Sequence, residues 1–197
     1  LASVEYGRLL HLRIRNQNTV IVNLPAPVPR DTELTLLVAY SGRMTPQEVG
    51  GEAVQTSSQG PEDGPLITPE RNFLLSNRSY WYPQNPIGDY ATATLRIIVP
   101  EGYACVASGE PRSGTDVTLR DLLTLPAEGR VFVFTATDPL RYLAVVVSRF
   151  SRVAEMTLEV AGIDTVRLAV DANPRQQGRG RGLMSSVEDI MRYYAEL

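Results

Sequence analysis

Tyr80-Trp81-Tyr82-Pro83-Gln84-Asn85-Pro86, then Tyr90-Ala91-Thr92-Ala93-Thr94-Leu95-Arg96-Ile97-Ile98-Val99-Pro100 and Glu101-Gly102-Tyr103-Ala104-Cys105-Val106-Ala107-Ser108-Gly109, is the stretch that decides the fold class. Aromatics stop at a proline, a strand-forming run alternates its apolar side chains, and Pro100-Glu101-Gly102 turns the chain into a second short apolar run. That succession describes paired strands rather than a helix. Working outward, the period of two recurs. Leu10, Leu12 and Ile14 alternate with His11, Arg13 and Arg15, which predicts a strand with one buried and one wet face. Val20, Val22 and Leu24 continue the pattern until the prolines at 25, 27 and 29 stop it. Leu34, Leu36, Val38 and Tyr40 form the next inward row, and further strands are expected at 91–99, 103–107, 130–136, 143–148, 154–161 and 165–170. The expected fold is all-β, a sandwich or saddle-like multi-sheet domain with a C-terminal helix.

The helix is read from a change of period. Leu183, Val187, Ile190, Tyr194 and Leu197 recur at spacings of three and four, giving one apolar face. Ser185 with Glu188 has the form of a capping box at its start. Residues 171–182, with Asn173-Pro174-Arg175 and the run Gly178-Arg179-Gly180-Arg181-Gly182, read as a linker. The expected division is a β domain over 1–170, a linker over 171–182 and, over 183–197, the first helix of a following domain. Between residues 42 and 72 the strand pattern fails among Gly50-Gly51, Ser57-Ser58 and Gly60-Pro61-Glu62-Asp63-Gly64-Pro65. So long a stretch without secondary structure is uncommon in a compact domain, which marks it as an insertion or as a loop ordered from outside.

Composition removes several classes of function. A net charge of -3 gives no electrostatic footprint for nucleic acid, and the 19 basic residues are all Arg. No run of 18 apolar residues exists, so the chain has no membrane segment of the helical kind. One cysteine excludes an intrachain disulfide, and Cys105 reads as a buried, inert thiol on its strand. His11 is the only histidine and lies on the wet side of its strand. A catalytic zinc usually takes three protein ligands, and with one histidine the HExxH helix does not exist; a Ser-His-Asp arrangement would have to recruit that same His11, and no GxSxG elbow is present. The Gly/Arg run before the helix lacks the Lys and the βαβ context of a phosphate loop. Catalytic and metal-binding residues are therefore not expected in this chain.

The opening stretch resembles the WYP/VPEGY signature of the non-catalytic N-terminal β domain of zinc aminopeptidases of the aminopeptidase N (membrane alanyl aminopeptidase) family. Leu24-Pro25 is similar to the family's "LP" turn, and residues 34–42, ending Tyr40-Ser41-Gly42, to its Tyr-x-Gly strand. Tyr142-Leu143-Ala144-Val145-Val146-Val147-Ser148-Arg149-Phe150 looks like its "YLxAFxVGxF" strand, departing at Ser148, where glycine is usual. Residues 166–175 and the following helix resemble its "VRVYxxP" strand and the start of its catalytic domain. The resemblance covers most of residues 20–197, with the motifs in the family's order.

The resemblance implies a parent with thermolysin-like zinc chemistry, its ligands lying beyond this chain on a catalytic domain of the same polypeptide. Zinc is thus a cofactor of the parent, and no cofactor is expected here. The family's Gln-x-Glu amine anchor would fall near Phe73 and Leu75, neither of which can hold an ammonium by charge. Trp81, Tyr82, Leu183, Val187, Ile190 and Tyr194 are the expected residues of the interface between domains. The resemblance also implies absent leading strands, hence an exposed sheet edge, and self-association through that edge or the helix. A periplasmic or extracellular parent is favoured over a cytoplasmic one. The alternative is a free-standing β-sandwich binding module, with Tyr80, Trp81 and Tyr82 lining a groove for peptide or carbohydrate.

Overall fold

The computed structural model describes residues 7–46, 72–84, 88–112, 129–160 and 163–195. The chain divides into two units, Leu1–Met44 and Thr45–Leu197. Most of the long segment expected between 42 and 72 lies outside the described residues.

In the first unit, β1 (Leu10–Ile14) and β2 (Thr19–Asn23) form an antiparallel hairpin with Leu12 opposite Ile21. A short 3-10 turn, Arg15–Gln17, joins them, and Asn18 takes the left-handed conformation at φ 50 that its small amide side chain tolerates. The expected buried face is not found within this unit: Leu10 is 76% and Leu12 61% exposed. A two-stranded ribbon has no second layer of its own to cover a face. His11 is exposed, as are Leu10 and Leu12 on either side of it. The apolar row at 34–40 joins no ladder among the described residues, and Leu36, Leu37, Val38 and Tyr40 are all exposed. Alternation tells which side of an extended chain is apolar, whereas a strand also needs a neighbour to satisfy its backbone.

Among its described residues the second unit contains three antiparallel sheets and one α-helix. β4 (Ala91–Val99), β7 (Arg130–Leu140) and β6 (Glu110–Arg112) form one sheet in the order β4-β7-β6. β3 (Phe73–Leu75), β8 (Val145–Ser148) and β5 (Ala104–Ala107) form another in the order β3-β8-β5. In the β4–β7 ladder Leu95 lies opposite Phe134 and Ile97 opposite Phe132, so apolar rows meet across the pair. The turn predicted at Pro100-Glu101-Gly102 passes the chain from the first sheet to the second. Gly102 has φ 82, and the Tyr103 amide donates to the Pro100 carbonyl at 3.2 Å. Buried Val99, Cys105, Phe134 and Val145 come from both sheets, which makes these sheets the two layers of a small sandwich. β3 and β6 were not expected: at three residues each they are too short to show a period.

β9 (Ser151–Val160) and β10 (Ile163–Ala172) form a separate hairpin, and α1 (Gln177–Ala195) covers one of its faces. Leu158 and Leu168 are buried there, with Met156, Val166, Met184, Val187 and Met191 packed around them. The opposite face carries an ion-pair ladder. Arg152 grips Asp171 with two hydrogen bonds, at 2.8 and 3.3 Å, and reaches Glu155 at 3.1 Å; Arg167 meets Glu155 at 3.3 Å.

The helix starts well before the position read from the sequence. Residues 171–182, expected as a linker, hold the end of β10, a 3-10 turn at Pro174–Gln176 and the first residues of α1. Glycines argue against a helix on propensity alone, but packing overrides propensity here. A Cβ on Gly180 would lie 3.0 Å from the Ala172 Cβ and 3.1 Å from Val153 Cγ2, so this glycine lets the helix sit close on the hairpin. Ser185 and Glu188 are consequently mid-helix rather than a cap, and Glu188 pairs with Arg192 at 2.8 Å.

Candidate functional site

The segment that carries the resemblance is built as a fold-back between β3 and β4. Ser76 opens a 3-10 turn at Asn77–Ser79: its hydroxyl accepts from the Arg78 amide, and its own amide donates to the Ser79 hydroxyl, each at 3.2 Å. The Gln84 side-chain amide donates to the Asn77 carbonyl at 2.9 Å, closing the loop from the other side. Tyr80, at φ 48, reverses the chain and stays exposed itself. The next residue, Trp81, is thereby turned inward.

Trp81 packs against the sandwich core and meets the Tyr82 ring edge-on at 4.9 Å. The Tyr82 hydroxyl accepts a hydrogen bond from the Leu143 amide at 3.1 Å. Ser108 makes a second tie to the same strand entry: its hydroxyl accepts from the Ala144 amide at 2.9 Å and its amide donates to the Ala144 carbonyl at 3.0 Å. β5 then pairs with β8 along its whole length, from Ala104 opposite Ser148 to Ala107 opposite Val145. The WYP segment, the Glu-Gly-Tyr turn and the Tyr142–Phe150 segment are thus one structural unit.

Ser148, where the resembling family has glycine, is fully buried. Its hydroxyl donates to the Asn173 side-chain carbonyl at 3.3 Å, which ties the sandwich to the end of β10. Cys105 is buried, and burial pushes its thiol up to about 12, far from nucleophilic use. The Phe73 ring lies tilted 6.4 Å from that of Tyr103, and Leu75 packs against the core; both side chains are apolar.

The expected interface residues fall into two groups. Trp81 and Tyr82 are partly buried within their own sandwich, and Val187 is partly buried on the side of α1 that packs on the hairpin. Leu183, Ile190 and Tyr194 are exposed on α1, at 49%, 54% and 67%, and Tyr194 meets the Tyr193 ring edge-on at 5.6 Å. The apolar arc of the helix is therefore wider than the hairpin covers. Sequence reading did not single out an open groove over the β4–β7 ladder lined by Thr92, Thr94, Thr135 and Thr137. The alternation of these threonines with alanine was its only signal. Among the described residues no cluster of three His, Cys, Asp or Glu could hold a metal ion. No described helix is long and apolar enough to cross a membrane. In comparisons with known proteins, no family model, curated protein or solved structure matches the chain.

Proposed function

We propose that this chain is a non-catalytic β domain of a zinc aminopeptidase-like metallopeptidase, packing on and shaping the active-site cleft of a catalytic domain in the same polypeptide. The reading starts from the motif resemblance. The observation that supports it best is the convergence of three of the matched segments: Tyr82 of the WYP segment is hydrogen-bonded to the Leu143 amide of the 142–150 segment, 61 residues away. The Glu-Gly-Tyr segment, through β5, pairs with the same 142–150 segment. These three segments, matched in order along the chain, also hold one another in space.

The donor set does not fit a zinc centre. The one histidine is exposed, the one cysteine is buried with a raised pKa, and among the described residues no three His, Cys, Asp or Glu side chains cluster to ligate the metal. No hydrolytic step is assigned to these residues. Their role is to present surface, and the uncovered arc of α1 with Leu183, Ile190 and Tyr194 is the surface assigned to the neighbour.

The test is to read the coding sequence past Leu197 and assay the encoded protein. GxMEN followed by HExxH is expected, with zinc-dependent release of amino acids from aminoacyl amides by the longer protein and none by residues 1–197. A reading frame without those motifs, or release by this chain alone, would overturn the proposal.

A further inference from the structure

The hairpin core differs from the sandwich core in one chemical respect. Three of the chain's four methionines, Met156, Met184 and Met191, lie in the layer between α1 and β9–β10, and none is among the residues of the sandwich core. Met184 and Met191 are two helical turns apart on the same stripe as Val187, so they supply much of the helix's grip. All three are half-buried, within reach of a small oxidant. The side-chain hydrogen bond from Gln177 to Ser151, at 3.2 Å, lies at the first residue of the helix and is exposed. The layer beneath the helix is apolar, with Leu158 and Leu168 at its centre.

We propose that α1 is a peroxide-responsive latch, released from the hairpin when the methionines beneath it are oxidised. The thioether sulfur attacks one peroxide oxygen, forming an S–O bond as the O–O bond breaks; sulfur loses two electrons, and the other oxygen leaves as water. The product is a polar sulfoxide whose oxygen seeks a hydrogen-bond donor. The surrounding side chains, Leu158, Val166, Leu168 and Val187, offer none. Leaving that oxygen unpaired in the layer is unfavourable, so hydration of the sulfoxide and undocking of the helix proceed together. The exposed apolar arc at Leu183, Ile190 and Tyr194 moves with the helix, so the latch controls how that surface is presented.

The experiment uses the full 197-residue chain in millimolar hydrogen peroxide. Each methionine is followed by peptide mass spectrometry, and helix protection by amide exchange over 177–195. Once Met184 and Met191 are sulfoxides, exchange across the helix should accelerate at least about tenfold, while β4 and β7 keep their protection. Methionine sulfoxide reductases should restore the original rate. The variant M156L/M184L/M191L should keep its helix protected in peroxide even though exposed Met44 still oxidises. The proposal falls if the helix stays protected with both residues oxidised, if both stay reduced while Met44 oxidises, or if the leucine variant loses protection equally.

Discussion

The sandwich and the α1-covered hairpin bury apolar surface in the same unit by different means. In the sandwich, two sheets close on Val99, Cys105, Phe134 and Val145, with aromatic and β-branched side chains arriving from both layers. In the hairpin, a ribbon that would be marginal alone is completed by one helix, through methionines and a glycine contact. The first core is braced from two sides with stiff side chains. The second depends on one element and on the most adaptable apolar side chain. The hairpin core should therefore open first, and the Ser148–Asn173 hydrogen bond should be a weak coupling between the two.

The strongest way to break this comparison is to cut each core in turn. Phe134→Ala is expected to cost about 3–5 kcal/mol and Leu158→Ala about 2–5 kcal/mol. Trp81 packs in the sandwich core, so its fluorescence reports the first, and helical circular dichroism reports the second. Phe134→Ala should shift the fluorescence transition in urea, whereas Leu158→Ala should move the helical signal alone. Coincident shifts of both probes in both variants would show one cooperative core and end the distinction.

Alkaline pH sharpens it next. Cys105 belongs to the sandwich core, and burial raises its thiol from the ordinary 9.0 to about 12. A folded pKa above the unfolded one gives a contribution that is complete below pH 9 and is lost as pH rises toward about 12. The loss is steepest between those two values. Urea midpoints read by Trp81 at pH 8, 10 and 11 should fall in the wild type and fall less steeply in Cys105→Ala. Equal slopes in the two proteins would remove the thiol from the account.

The two regions were also unequally legible in the sequence. In the sandwich, β4 matched the expected 91–99, because nine alternating residues bounded by a proline leave little freedom of register. β5 and β8 lay within their expected ranges. The inward turn of Trp81 was less legible, since it follows from Tyr80 adopting a positive φ. Around α1, Gly178, Gly180 and Gly182 hid the start of the helix, because their propensity points away from it and the contact that outweighs propensity involves Ala172 and Val153 of the hairpin. The row at 34–40 failed in the opposite sense, with its pattern present and no ladder partner among the described residues. Local pattern records which face is apolar; it does not record what covers that face.

The glycines test the helix contact directly. Gly180→Val should push α1 away from Ala172 and Val153 and destabilise the helical signal by about 1–3 kcal/mol. Gly182→Ala, where an added Cβ meets nothing within 4 Å, should instead stabilise it by about 0.5–1 kcal/mol. The opposite signs, two residues apart, separate close packing from propensity. Destabilisation by both substitutions would mean that the helix start is held by something other than this contact.

The smallest effect is expected on the charged face of the hairpin. Arg152 is hydrogen-bonded to Asp171 and, more weakly placed in the ladder, to Glu155, and these partners raise its guanidinium above the ordinary value, with the Asp171 hydrogen bond the leading cause. The bidentate geometry with Asp171 is favourable, yet the pair lies at the surface, with the Arg152 side chain 40% exposed, where water and salt screen it. Arg152→Met keeps much of the aliphatic stem and should cost no more than about 1 kcal/mol in dilute buffer, shrinking further in 1 M salt. The measurement is the urea midpoint of the helical signal for both proteins at the two salt concentrations. A larger, salt-insensitive loss would mean that the ladder contributes as much to this part of the unit as the methionine layer under α1, and the contrast between the two cores would then rest on charge instead of packing.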